Sequence, residues 1–99
     1  MEFVESLSRK MEEYMYTHGL PSPTFRVYVD GGSRVIMESV RSRRFPRSVK
    51  CVFTPPTYTV LVEGRVITYD TLLSHDGFRV EERILNTLFD VMLEYVIED

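Results

Sequence analysis

Apolar residues recur every four positions at the start of the chain, at Phe3, Leu7, Met11 and Met15. Val4, Tyr14 and His18 fall on nearly the same side, and Glu2, Glu5, Arg9, Glu12, Glu13 and Tyr16 fall opposite. This period predicts a helix over residues 2–18. Glu5 and Arg9 stand in the favourable acid-then-base i,i+4 order. Gly19 occupies a helix-terminating position, and Pro21 and Pro23 bar continuation.

From residue 25 the period drops to two. Phe25, Val27 and Val29 alternate with Arg26, Tyr28 and Asp30, which predicts a strand. Asp30-Gly31-Gly32 supplies a turn tolerant of positive φ, with a return strand from Arg34 to Val40. Another strand is expected from Val49 to Thr54, stopped by Pro55-Pro56. TYTVLVEGRVITY reads as a second hairpin, with Tyr58, Val60 and Val62 on one side and Gly64 at or near the turn. Residues 70–77 read as a loop. The helical period returns near Phe78, with Ser74 or Asp76 as its cap and Glu81 and Glu82 near its positive end. Glu98 and Asp99 oppose the dipole at the other end, so the last turn is expected to fray.

The expected fold is therefore α+β: an antiparallel sheet of four or five strands, with N- and C-terminal helices packed together on one face. At 99 residues, with no repeat, linker or low-complexity tract, the chain reads as one domain, 1–99.

The closing helix carries more apolar surface than one sheet-facing stripe requires. Val80, Ile84, Leu88, Val91 and Tyr95 form one stripe, Leu85, Phe89, Met92 and Val96 a second, and Leu93 and Ile97 extend it. Asp90, Glu94 and Glu98 leave only a narrow polar row. Such a patch predicts a partner, most simply a second copy, through Leu88, Val91, Met92, Tyr95 and Val96. The competing reading is a central helix enclosed by a curled sheet and the first helix.

Charge divides the chain unevenly. The net charge is -3, yet residues 24–50 carry +5 and residues 70–99 carry -6. The basic density peaks in RSRRFPRSVK, residues 41–50. Arg41, Arg43, Arg44, Arg47 and Lys50 have the spacing to bridge successive phosphates, and Phe45 is placed to stack on an unpaired base. The alternative is a solvated loop whose arginines pair with Asp90, Glu94 and Glu98, since guanidinium suits carboxylate as well as phosphate. A chain pI near 5.4 lies far below the usual value of a dedicated nucleic-acid domain.

Two resemblances follow from these residues. Alanine, glutamine and tryptophan are absent, Asn86 is the single asparagine, and arginine outnumbers lysine ten to two. This usage resembles that of small orphan proteins of hyperthermophilic archaea and their viruses, and it implies no activity. The order helix–strands–helix, with YTVLVEGRVITYD at its centre, is similar to the double-stranded-RNA-binding domain over about residues 58–97 plus the first helix. That family opens its second helix with basic residues. Here the place reads SHDGFRVEER, with Asp76, Glu81 and Glu82, so the resemblance implies topology and no binding residue.

Catalytic groups are sparse. His18 and His75 are the two histidines, and Cys51, the lone cysteine, falls inside a strand where a packed thiol is the common role. It rules out an internal disulfide and a cysteine-based zinc cage, and no spacing supplies metal ligands. Asp30-Gly31-Gly32 lacks the strand–loop–helix setting of a phosphate loop. The acid pairs Glu12-Glu13 and Glu81-Glu82 point about 100° apart on a helix and do not converge. No window suits a membrane span, and the acidic N-terminus is unlike a signal peptide, which leads to an expected cytoplasmic setting, that of a host if the protein is viral. The expectation is a non-enzymatic homodimeric interaction protein without cofactor, metal or small-molecule substrate, with nucleic-acid binding through residues 41–50 as the alternative.

Overall fold

A computed structural model of the chain describes residues 2–71 and 77–97. The elements run α1 (Glu2–Thr17), β1 (Phe25–Asp30), β2 (Arg34–Ser39), β3 (Val49–Thr54), β4 (Thr57–Val62), β5 (Arg65–Thr71) and α2 (Gly77–Leu93). The five strands form one antiparallel sheet in sequence order. The fold is α+β, as the two periods predict.

Local chemistry explains the boundaries. α1 closes in a Schellman motif. Gly19, at φ +71°, donates its N–H to the Tyr16 carbonyl at 2.9 Å, and Leu20 donates to Met15 at 3.0 Å. β1 and β2 are joined through Gly31 and Gly32, both at positive φ. β3 ends at Thr54, where Pro55-Pro56 was expected to stop it, and the two prolines, joined by a cis peptide bond, form the tight turn into β4. Glu63 and Gly64, at φ +51° and +78°, make the two-residue turn between β4 and β5, in the left-handed conformation that matches strand twist.

The core lies between one sheet face and the two helices. Met37 from β2, Val49, Cys51 and Phe53 from β3, and Tyr58, Val60 and Val62 from β4 point inward. Val4, Leu7, Met11 and Met15 from α1 and Val80, Ile84, Leu88, Val91 and Met92 from α2 close over them. A Lys10–Glu81 ion pair at 2.6 Å joins the helices, so Glu81 serves as a clasp to α1. Arg83 of α2 holds Asp70 of β5 at 2.8 Å and the Thr71 carbonyl at 3.0 Å.

This enclosure corrects the expected dimer surface. Leu88, Val91 and Met92 are 1%, 8% and 0% exposed, and Tyr95 and Val96 are partly buried against the same core. Both apolar stripes of α2 are covered within the chain, because α1 lies beside the helix while the sheet lies beneath it. α2 keeps a solvent-facing side with Glu82, Asn86, Asp90 and Leu93 exposed, so it is packed on the sheet beside α1 and not enclosed all round, but those five residues do not form a free docking face. The helix also stops at Leu93, four residues before Ile97. The expected caps Ser74 and Asp76, along with His75, Glu98 and Asp99, lie outside the described residues. Among the described residues, no helix is long and apolar enough to cross a membrane.

Candidate nucleic-acid interface

The basic segment lies between β2 and β3 and is held at both ends and at its middle. Ser39 is buried, and its Oγ accepts the Val49 N–H at 3.0 Å and reaches the Arg47 carbonyl at 3.4 Å. Val40 donates to Thr24 at 2.7 Å. In the middle, Ser42 and Phe45 exchange backbone hydrogen bonds at 3.0 and 3.2 Å, which turns the chain and lifts Arg43 and Arg44 to the tip.

Phe45 is the anchor. Its ring is 1% exposed and belongs to the main core cluster. Burying a whole phenyl ring is worth roughly 2–3 kcal/mol, enough to fix a short polar loop. A base-stacking role is therefore excluded, and the sequence expectation for Phe45 is corrected. An isolated aromatic among charges has no periodic neighbours to mark it as core. Its one sequence signal is that a large ring seldom stands alone in a solvated loop without a socket.

Glu63 pins the segment from the other side. Its Oε1 accepts the Ser48 N–H at 3.1 Å, and its own N–H donates to the Ser48 carbonyl at 2.8 Å. Its Oε2 meets Arg41 at 2.6 Å. The chain end is tied in as well, since Ile97 donates its N–H to the Arg44 carbonyl at 2.7 Å.

The arginines are thereby sorted. Arg41 is neutralised by Glu63. Arg47 lies over the Tyr95 ring, 5.9 Å from its centroid, a cation–π distance. Arg43 and Arg44 are exposed and border a cleft of about 440 Å³ with Pro21, Ser22 and Ser42. Among the described residues, Arg43, Arg44 and Arg47 form no ion pair, and neither do Asp90 and Glu94, the carboxylates expected to meet them. Lys50 leaves the group altogether. It lies on the open face of the sheet, 3.3 Å from Glu38, because β3 has already begun.

That open face has its own polar hub. Glu38 takes Arg26 at 2.9 Å, the Tyr28 hydroxyl at 2.8 Å and Lys50. Burial pushes the Glu38 carboxyl up, but the bonds from Tyr28, Arg26 and Lys50 outweigh it and hold the group below the usual carboxylate range. The hydrogen bond to Glu38, with burial behind it, pushes the Tyr28 phenol up.

The reactive residues do not assemble. Cys51 is buried and its thiol is pushed well up by desolvation. His18 packs against both the Tyr14 and Phe89 rings, at 4.4 and 4.8 Å, in a three-ring cluster, with Nδ1 2.8 Å from the Tyr14 carbonyl. Among the described residues, no three metal-ligating side chains converge. Comparison with protein-family models, with curated proteins and with solved structures gives no match, so the likeness to the double-stranded-RNA-binding domain stays one of element order.

Proposed function

We propose that this is a non-enzymatic binding protein that grips the phosphodiester backbone of a nucleic acid with Arg43, Arg44 and Arg47. One observation carries the reading: these three guanidinium groups project from an anchored loop without acidic partners among the described residues. A loop fixed by Phe45, Ser39 and Glu63 has little ordering entropy left to lose on binding. The burial of Phe45 removes the loop's aromatic, so backbone contact without base readout is the expected mode.

Fluorescence polarisation with labelled single- and double-stranded oligonucleotides at low salt tests this. The wild type is expected to bind, and the triple variant Arg43→Glu, Arg44→Glu, Arg47→Glu is expected to lose at least tenfold in affinity. Absence of binding by the wild type removes the function. Binding that survives the reversal removes these residues.

A further inference from the structure

A second recess, of about 250 Å³, lies beside the anchored loop. Val66, Ile67 and Tyr95 supply apolar wall, and Arg47, Glu63 and Arg65 supply charge. Val66 and Ile67 are 63% and 48% exposed, so their apolar surface meets solvent. They are neighbours in sequence, and a regular strand would send them to opposite faces of the sheet. The register against β4 steps from Leu61↔Val66 to Val60↔Thr68, which makes Ile67 an extra residue. Such a bulge re-aims a side chain, and here both residues border one recess.

The charges of the recess do not cancel. Glu63 is already bound by Arg41 at 2.6 Å and by the Ser48 N–H at 3.1 Å. Arg47 and Arg65 set two guanidinium groups against that one engaged carboxylate. An anion carrying an apolar or aromatic body fits the combination, with its charge on the arginines and its body against Val66, Ile67 and Tyr95. The volume falls below the range of about 300–1,000 Å³ that takes a whole drug-sized ligand, and suits a single ring system. A nucleotide within a strand has this chemistry. Arg47 belongs both to the recess and to the three arginines assigned to phosphate. The Arg44 carbonyl is bonded to the Ile97 N–H, two residues beyond Tyr95, so the recess and the loop tip share one end of the molecule.

We propose that this recess seats one unpaired base of a single strand while Arg47 holds the adjoining phosphate, which makes the protein selective for single- over double-stranded nucleic acid. The inference rests on the reading of Arg43, Arg44 and Arg47 as phosphate contacts and adds a strand preference to it. A base stacked and paired within a duplex has no face to offer the recess. Contact with apolar and aromatic side chains tolerates every base, so the preference brings no sequence readout. Tyr95, Val66 and Ile67 thereby take the part that Phe45, buried in the core, does not.

Fluorescence polarisation at low salt with three labelled oligonucleotides of equal length tests it: a thymidine single strand, the same strand with its bases removed, and a duplex. Phosphate contact alone favours the duplex, which has the higher charge density. With a base seated, the wild type is expected to bind the thymidine strand about tenfold more tightly than the base-free strand, and more tightly than the duplex. The double variant Val66→Ser, Ile67→Ser, with unchanged circular dichroism, should lose about tenfold on the thymidine strand and keep its affinity for the base-free one. Equal binding of the thymidine and base-free strands by the wild type overturns the proposal and leaves the phosphate contacts standing. So does a double variant that binds the thymidine strand as tightly as the wild type. A wild type that binds none of the three removes both readings.

Discussion

Glu63 is held at φ +51°, a conformation that glycine adopts freely and a glutamate does not. Its carboxylate offsets that backbone cost by accepting from Ser48 and Arg41. Glu63→Ala keeps the unfavourable backbone and loses both bonds. We expect it to lower stability by about 1 kcal/mol in urea unfolding, a figure discounted for partial exposure. The same change releases Arg41 from its acid. Nucleic-acid affinity should therefore rise while stability falls, a combination that a merely structural Glu63 would not produce. At this scale the sequence is least informative. Arg43, Arg44 and Arg47 are recognisable as a cluster, but the removal of Arg41 by an acid 22 residues away depends on a loop meeting a turn. Lys50 is misassigned because a charge count ignores where the next strand starts.

Elements were far more legible, since period two and period four each leave a signature that burial enforces. β3 falls at Val49–Thr54 as the alternation indicates, and α1 ends where Gly19 and Pro21 require. The excess apolar surface of α2 is real, but sequence does not reveal which neighbours cover it. α1 does so here, through Tyr14 against Phe89 at 4.8 Å and the buried methionines. Two predictions belong to elements. Ser39→Ala leaves the buried Val49 N–H without its acceptor, and should cost about 1–3 kcal/mol in chemical denaturation while sparing the sheet by circular dichroism. Glu38 has a carboxyl pKa held below its unfolded value, so its stabilising contribution is present above about pH 4.3 and is lost as pH falls through the lower folded value. Glu38→Gln should therefore melt lower than the wild type at pH 7, with the gap shrinking as acid protonates the wild-type group.

Across the whole molecule, an acidic chain presents a basic end. Net charge -3 opposes approach of a polyanion at long range, while three arginines favour it at contact. Counterion release by three phosphate contacts predicts a slope of log affinity against log salt of about -2 to -3, steepening by about one in Glu63→Ala. Titration of binding from low to moderate salt checks both values; a flat dependence would contradict phosphate contact. The anchoring of Phe45 reaches beyond binding. RSRRFPRS offers trypsin several cleavage points in a row, yet the Arg44 and Arg47 carbonyls and the Ser42, Phe45 and Ser48 N–H groups are all engaged in hydrogen bonds. A protease needs several residues drawn out flat, which here means withdrawing a phenyl ring from the core. Digestion of the native protein at these bonds should therefore track the equilibrium population of the opened chain, and the most arginine-rich stretch becomes a built-in gauge of how often the molecule comes apart.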